Sequence, residues 1–332
     1  MIKKFFHIIK KTVKKLLRPL YYSYIGYKVF SFIEWLTGYK IERHRICKLI
    51  GYYPNLKNPQ SYNEKILWKK IYDRNPLLPI VSDKYRVREY LKDVLGQKQA
   101  QKITVPLLYV TDKPDSIAFD SLAEEYVIKP NHASGMIILA ENIEKQKRYT
   151  IVDGKKTAIL FDCKAAREEI VKVCKKWLST PYGLHKHEWA YQKIKRKIII
   201  EKLLYDNSGK TPANYNFVVF HGKCNLILVI YERFDDKSIA RYTPEWEYLN
   251  VKSISRQADY GKKPENLRSA LDLVELLGKP FDFIRVDLYL TDNKIYFGEL
   301  TNYPMSGAEY FNPVSFDFDL GSNWKLVSKY WK

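Results

Sequence analysis

The sequence of 332 residues predicts an α+β protein, either one large domain or two. Apolar runs rich in β-branched and aromatic residues come in pairs separated by turn residues, which is typical of antiparallel hairpins. Between these pairs lie segments with an apolar residue every three to four positions, and these predict helices. Short antiparallel strands alternating with helices favour α+β over a doubly wound parallel sheet.

The N-terminus predicts a basic amphipathic helix over residues 1–20. One helical face carries Ile2, Phe5, Phe6, Ile9, Val13 and Leu16, and largely opposite lie Lys3, Lys4, Lys10, Lys11, Lys14 and Lys15. This pattern favours a helix lying on an anionic membrane surface over a helix packed on its own domain. A signal peptide fits this segment poorly, because no uninterrupted apolar h-region or small-residue cleavage site follows, and the sequence has no run of 18 apolar residues. We expect a cytoplasmic protein that lies peripherally at the inner face of the membrane.

The charge balance implies a polyanionic partner, because the net charge is +20 and the sequence pI is about 9.5. We do not expect nucleic acid, since the aromatic residues have core-like spacing and no RNA-binding motif is present. The four cysteines, Cys47, Cys163, Cys174 and Cys224, have neither C-x-x-C nor zinc-ligand spacing. We interpret them as reduced core thiols.

The first half of the chain predicts mostly helices and then strands. Residues 21–81 are expected to be mainly helical, and Ser82 is the expected N-cap of a helix that runs to Gly96. Further along, "EYVIKP" and "GMIILA" predict two strands around "NHAS", residues 163–178 an amphipathic helix, and residues 197–205 a buried strand.

The second half predicts two hairpins around a helix. The first hairpin covers residues 214–233 and turns at His221-Gly222. The helix covers residues 264–278, with Pro264 near its first turn and Gly278 past its end. The second hairpin, residues 282–304, turns at Asp292-Asn293-Lys294.

Three charged residues interrupt the apolar second hairpin: Arg285, Asp287 and Glu299. A charge on a sheet is costly unless something pairs with it. Arg285 shares a strand face with Asp287, so a salt bridge is one explanation. Two carboxylates on adjacent strands also suit Mg²⁺, which prefers oxygen ligands. The spacing leaves both explanations open.

The segment "VIKPNHASGM" places Lys129 at a strand end before a small, glycine-containing turn. Backbone N–H groups of such a turn can bind phosphate oxygens, and a nearby lysine adds a positive charge. The G-x-x-x-x-G-K-[ST] order of a Walker loop is absent. A surface lysine before a proline is the alternative.

The combination of "SYNEKILWKKIYDRNP", "SDKYRVREYL", "VIKPNHASG", "RVDLY" and "IYFGELT" resembles the TupA-like (teichuronopeptide-biosynthesis) family of the ATP-grasp fold, over roughly residues 40–325. The resemblance implies two α+β lobes whose antiparallel sheets clamp ATP, with Mg²⁺ as the metal. The N-lobe would be residues 82–198 and the C-lobe 199–332. A helical region, residues 21–81, and the basic helix would precede them.

The resemblance also implies roles for individual residues. Lys84 and Lys129 would contact ATP phosphates, with His132, Ser134 and Gly135 in the loop that closes over them; for His132 a structural role is the alternative. Glu201 and the backbone of Lys202 and Leu204 would meet the adenine edge. Asp287 and Glu299 would bind Mg²⁺, and Arg285 would stabilise the oxyanion of a tetrahedral intermediate.

Two departures from the family pattern concern the site. The last metal motif is often Glu-x-Asn, whereas here Thr301 occupies the Asn position and Asn302 follows, so the third ligand is left open between them. Asn214 and Asn216 stand where an acid and a lysine are expected.

The implied activity is an ADP-forming carboxylate–amine ligase of capsule or O-antigen biosynthesis. It would join a uronic acid carboxylate of an acidic saccharide to an amino acid or other small amine through an acyl phosphate. The alternative is a glycosyltransferase that uses the D-x-D of Asp317 and Asp319, although D-x-D also occurs often by chance.

Overall fold

The computed structural model describes residues 24–143, 145–154, 156–206, 208–231, 237–291 and 294–330. The predicted basic helix, residues 1–20, and Asp292-Asn293 lie outside the described residues. Among the described helices, none is long and apolar enough to cross a bilayer.

The described part of the N-terminal region, from residue 24 onward, forms four helices, as predicted. They are α1 (Tyr24–Leu36), α2 (Lys40–Ile50), α3 (Tyr62–Tyr72) and α4 (Leu77–Ser82). A capping box begins α3: the Ser61 hydroxyl accepts from the backbone N–H of Glu64, and the Glu64 carboxylate accepts from that of Ser61.

The prediction of one helix from Ser82 to Gly96 is wrong. Ser82 ends α4, and the next helices are α5 (Val87–Leu95) and α6 (Gln97–Ile103). The Asp83 carboxylate, rather than the Ser82 hydroxyl, accepts from the backbone N–H groups of Tyr85 and Arg86. This carboxylate stabilises the turn that separates α4 from α5.

The first sheet has six strands in the order β1-β6-β2-β3-β4-β5, and every neighbouring pair is antiparallel. The strands are β1 (Leu107–Thr111), β2 (Tyr126–Pro130), β3 (Met136–Ile143), β4 (Gln146–Asp153), β5 (Lys156–Phe161) and β6 (Ile198–Lys202). One face packs on α7 (Lys164–Ser179), which buries Ile170, Cys174 and Trp177 against the sheet. The sheet extends through Lys202, beyond the lobe boundary expected at 198.

The second sheet also has six strands, in the order β10-β9-β8-β7-β11-β12. The strands are β7 (Asn214–Phe220), β8 (Lys223–Tyr231), β9 (Ser238–Tyr242), β10 (Arg256–Gln257), β11 (Phe283–Thr291) and β12 (Lys294–Thr301). Only the short β9–β10 pair is parallel among them. Both predicted hairpins are therefore confirmed as strand pairs.

Helix α9 (Leu267–Gly278) packs on the second sheet, and its bounds differ from the prediction. It begins after Pro264, and Gly278 is its last residue rather than the residue beyond it. A Cβ on Gly278 would lie 2.5 Å from Val219 Cγ1, so the absent side chain lets the helix end approach β7 closely. The chain also forms the short α8 (Trp189–Gln192) and α10 (Ser315–Ser322).

The prediction of four core thiols is half right. Cys174 and Cys224 are buried, Cys47 is half-buried and Cys163 is exposed, and none of the four forms a disulfide. Cys163 is the N-cap of α7, where its sulfur accepts from the backbone N–H of Ala166. A cap lies at a helix end, which explains its exposure.

Candidate active site

A β-bulge at Gly298 aligns the two carboxylates of the second hairpin. Asp287 pairs with Glu299, but the next residue, Leu288, pairs with Phe297, so Gly298 is the extra residue. A Cβ on Gly298 would lie 3.0 Å from the Asp287 carbonyl oxygen. Phe297 and Glu299 would share a strand face by simple alternation, whereas the bulge lets Phe297 enter the core while Glu299 faces the same side as Asp287.

The hairpin connection is shorter than the three-residue turn predicted. Thr291 already pairs with Lys294, so two residues connect the strands. Without the bulge this register would place Gly298 opposite Asp287. The bulge, and not the turn, therefore places Glu299 opposite Asp287.

Arg285 pairs with both carboxylates. It donates to the two oxygens of Asp287 at 2.7 and 2.6 Å, and its Nη2 lies 3.5 Å from Glu299 Oε1. Lys84 Nζ lies 3.3 Å from the other oxygen of Glu299. Burial raises the pKa of Asp287, although Arg285 opposes this shift, and Asp287 raises the pKa of Arg285 against the effect of its burial. The salt bridge left open by the sequence is therefore present.

The two candidates for a third metal ligand lie in different surroundings. Thr301 pairs with Arg285 in the strand register, accepts from its Nη2 at 3.0 Å and donates to Glu299 at 3.2 Å. Asn302 is fully buried and donates to the Leu78 carbonyl and the Ser82 hydroxyl. The structure brings Thr301, but not the Asn302 amide nitrogen, to the carboxylates.

A second charged cluster lies on the first sheet. Glu201 on β6 accepts from Lys129 Nζ at 2.5 Å and from Arg88 Nη2 at 2.8 Å. Although burial favours the neutral acid, Lys129 and Arg88 hold the pKa of Glu201 below its usual value. Glu201 raises the pKa of Lys129 in return, against the effect of burial. Arg88 could not be predicted as a site residue, because nothing in the sequence links α5 to β6.

The loop between β2 and β3 is anchored to the start of α5. Asn131 donates to the Asp83 carboxylate at 2.8 Å, and Lys84 Nζ donates to the Ala133 carbonyl at 2.8 Å. Gly135 has a φ of 72°, which its lack of a Cβ permits. The predicted lysine and the predicted loop are therefore in direct contact.

His132 lies in the interior beneath this loop, 1% exposed, and does not line the cleft. Burial and, to a lesser degree, the nearby Arg196 guanidinium lower the pKa of His132 to about 4. The ring is therefore neutral near pH 7. Its surroundings favour the structural alternative over contact with ATP.

Two adjoining pockets lie between the sheets and share Lys129, Ile137 and Tyr289. The first is mostly apolar and is lined by Val105, Val127, Lys129, Ile137, Leu139, Glu201, Lys202, Leu203, Leu204, Thr211, Pro212 and Tyr289. The second is lined by Lys84, Lys129, Ala133, Ser134, Gly135, Met136, Ile137, Val152, Asn214, Tyr289, Gly298 and Glu299. Eight of the predicted site residues thus line this cleft, and Arg285, Asp287 and Thr301 each pair with Glu299, which lines it.

The cleft also contains polar residues that the sequence left uncertain or did not reveal. Asn216 lies opposite Asp287 in the strand register and donates to Asn214 Oδ1 at 2.6 Å. The two asparagines therefore pair with each other in place of an acid and a lysine. Tyr289 lines both pockets. The only sequence signal for its position is that it lies two residues after Asp287 on β11, and therefore on the same strand face.

The D-x-D motif does not form a metal site. Asp317 is 1% exposed and accepts from the Asn63 backbone N–H and from the Tyr52 hydroxyl, so it caps the start of α3. Asp319 is exposed on α10. Alternate residues of a helix point in different directions, so the two carboxylates do not converge. This placement removes the basis for the glycosyltransferase alternative.

The donor set at Asp287 and Glu299 fits a hard cation. Carboxylate and hydroxyl oxygens are ligands that Mg²⁺ accepts, and each carboxylate has more lone pairs than its ion pairs use. Within the described residues no three His, Cys, Asp or Glu side chains form a metal cluster. A Mg²⁺ ion commonly takes one or two carboxylates and completes its shell with phosphate oxygens and water, so two suffice.

Comparison with solved structures gives distant similarities to ligases. D-alanine–D-alanine ligase from Bacillus anthracis, complexed with ATP, is 16% identical, with a TM-score of 0.40, over 74% of this chain and 65% of that chain. The Helicobacter pylori enzyme is 15% identical, with a TM-score of 0.38, over 79% and 67%. L-amino acid ligase from Bacillus licheniformis is 14% identical, with a TM-score of 0.34, over 68% and 44%. The chain thus spans less than two thirds of the first of these.

Comparison with curated proteins found no match. The TupA-like ATPgrasp family, in contrast, matches residues 64–325, which is most of the chain and includes both sheets and the whole cleft. The chain therefore belongs to the TupA-like ATP-grasp family, whose cofactors are ATP and Mg²⁺.

Proposed function

We propose that the protein is an ADP-forming carboxylate–amine ligase. The observation that supports this most directly is the cleft between the sheets, where an apolar pocket adjoins a pocket lined by lysines, a glycine loop and Glu299. An apolar pocket suits a base, and a basic pocket with backbone N–H groups suits phosphates. Their order along the cleft matches the order of base and phosphates in ATP.

The apolar pocket would hold the adenine. Lys202 and Leu204 line it, and Glu201 stands at its border with the phosphate pocket, already paired with Lys129. A carboxylate and the strand backbone beside an apolar cavity can form hydrogen bonds with the amino group and ring nitrogens of adenine. Lys129 lines both pockets, so its ammonium is placed to reach phosphate while Glu201 fixes its position.

The phosphates would lie beneath the loop of Ser134 and Gly135. Lys84 connects this loop to Glu299, because its ammonium donates to the Ala133 carbonyl and lies 3.3 Å from the carboxylate. Asp287 and Glu299 would hold Mg²⁺, which neutralises phosphate charge when bound. The phosphates would then lie between the pocket lysines and the Mg²⁺ ion.

Arg285 would act on the second substrate. Transfer of the γ-phosphoryl group of ATP to a carboxylate oxygen gives an acyl phosphate and ADP, and attack by the amine on the carbonyl carbon then expels phosphate. The guanidinium is held in place by Asp287 and lies beside Glu299. A positive charge held there can stabilise the oxyanion that develops in the second step.

The proposed substrates are a uronic acid carboxylate of an acidic saccharide and an amino acid or other small amine. The TupA-like family and the net charge of +20 support this choice, because a polyanionic saccharide is attracted to a basic protein. The basic N-terminus would hold the enzyme at the membrane surface where surface polysaccharides such as capsule or O-antigen are assembled.

ADP release from Mg-ATP tests the proposal, with uronate-containing saccharides and a panel of amino acids and amines. We expect sustained ADP release, over many turnovers, only when both substrates are present, with a mass gain in the saccharide that equals the amine minus water. Glu299→Gln is the inactive control. Binding of UDP-sugars without binding of ATP would contradict the proposal.

A further inference from the structure

Helix α1 carries an exposed apolar stripe. Val29, Phe32, Ile33 and Leu36 follow helical spacing, and their exposed fractions are 55%, 58%, 44% and 61%. Trp35, 62% exposed, borders the stripe. Isolated exposed apolar residues are ordinary, but a continuous stripe with two large aromatic rings indicates an interaction surface.

The opposite side of α1 is fixed to the protein by hydrogen bonds and ring contacts. Tyr27 exchanges hydrogen bonds with Gln192, and Phe30 stacks on His187 with 5.6 Å between ring centroids. Glu34 is fully buried and accepts from the backbone N–H groups that begin α2. The fold therefore holds α1 in one orientation and turns its apolar stripe outward.

Helix α2, which contacts α1, also carries exposed apolar side chains. Ile41 and Leu49 are 53% and 39% exposed, and with Lys40, His44 and Lys48 they line a shallow apolar groove. Tyr53, 42% exposed, lies beside this helix with the Arg43 guanidinium 4.3 Å from its ring centroid. Apolar side chains here alternate with cations.

All charges that reach solvent in residues 24–57 are positive. The only two acids of this segment, Glu34 and Glu42, are 0% and 2% exposed, and Glu42 is bonded to Arg45 and Lys70. The exposed cations are Lys28, Lys40, Lys48 and Lys57. A surface with apolar and aromatic side chains and cations but no accessible acid complements an anionic lipid bilayer.

We infer that α1 and α2 form a membrane-docking face, in which Phe32, Trp35 and Leu36 enter the headgroup region of an anionic bilayer. A second copy of the chain fits less well, because two such faces would bring like charges together. The inference concerns residues other than the basic helix predicted for residues 1–20, and it does not depend on the ligase reaction.

The docking face is connected to the candidate active site through residues 182–192. Tyr27 and Phe30 of α1 contact this segment, and Tyr191 within it packs edge-to-face on Tyr303, which follows β12. β12 carries Glu299. Residues 182–192 therefore link the inner side of α1 to the strand that carries Glu299.

Vesicle binding by the full-length protein tests the inference. Vesicles of equal parts phosphatidylcholine and phosphatidylglycerol are compared with pure phosphatidylcholine. The variant carries Phe32→Ser with Leu36→Ser, and the matched control carries Ile159→Ser with Phe161→Ser, which are 56% and 60% exposed on the edge strand β5. We expect the first pair to lower partitioning onto the anionic vesicles about tenfold or more, and the control pair to leave it unchanged.

Quenching of Trp35 gives a second readout that does not rely on the double variant. Brominated phosphatidylcholine in the same vesicles should quench part of the tryptophan fluorescence, and Trp35→Phe should remove that part. Unchanged binding of the Phe32/Leu36 variant, or binding without quenching of Trp35, would overturn the inference and leave residues 1–20 as the membrane contact. A dimer that the variant converts to monomer in sedimentation velocity, with vesicle binding unchanged, would identify the face as a dimer interface instead.

Discussion

Asp287→Asn and Glu299→Gln should both abolish turnover but should differ in their effect on stability. Asp287 is 1% exposed and accepts two hydrogen bonds from Arg285. Removing one partner of a buried ion pair costs about 3–5 kcal/mol. Arg285 retains Thr301 at 3.0 Å and Glu299 at 3.5 Å, so we expect about 2–3 kcal/mol here. At roughly 2 °C per kcal/mol for a chain of this size, the melting temperature should fall by about 4–6 °C.

Glu299→Gln should change stability much less. The Glu299 side chain is 23% exposed, and its partners Arg285 and Lys84 lie at 3.5 and 3.3 Å. A partly exposed pair of that length contributes less than about 1 kcal/mol, so the melting temperature should fall by less than about 2 °C. The expected loss of activity comes from the proposed metal role that both carboxylates share.

Thermal melting followed by circular dichroism, with ADP release measured on the same preparations, checks both effects. Equal melting temperatures for wild type and Asp287→Asn would refute the ion-pair interpretation of Asp287. Turnover at the wild-type rate in Glu299→Gln would refute the metal assignment. An active but destabilised Asp287→Asn would leave the residue a purely structural role.

Further predictions concern the nucleotide and pH. Lys129→Met should raise the Kd for Mg-ATP in calorimetry by about 10- to 100-fold, because a charge-assisted contact contributes about 1.5–3 kcal/mol. Lys202→Met is the control and should leave the Kd unchanged, because only the backbone of Lys202 is proposed to bind. Ile137→Trp should fill the shared wall of the two pockets and weaken ATP binding without lowering the melting temperature. Because the pKa of His132 is lowered to about 4, the folded chain binds this proton only at lower pH than the unfolded chain does. The free energy of unfolding should therefore fall by about 3 kcal/mol as pH falls from about 6.5 to 4. His132→Asn should remove this part of the pH dependence in urea unfolding. Burial raises the pKa of Asp317 to about 6, so its effect on stability runs the other way with pH. The contribution of Asp317 to the free energy of unfolding is lost as pH rises from about 4 through 6. Asp317→Asn should remove that loss while ADP release persists.

The cleft residues show what local patterns can and cannot predict. The strand around Lys129, the glycine loop after it and the hairpin of Asp287 and Glu299 were predictable, because side-chain alternation and turn residues act over a few positions. The partners of those residues were not. Arg88 meets Glu201, and Lys84 meets Glu299, across more than a hundred residues of sequence.

The sequence by itself determined the α+β class, the two hairpins of the second sheet and the net positive charge, since each depends on composition or short-range periodicity, whereas the family resemblance indicated most residues of the cleft. Only the tertiary structure decided that the Gly298 bulge aligns Asp287 with Glu299, that Asn302 and His132 point into the interior, and that Asp317 caps a helix instead of binding a metal. A bulge shifts register by one residue, and burial depends on which elements pack together. Neither effect is encoded in the spacing of the residues that it positions.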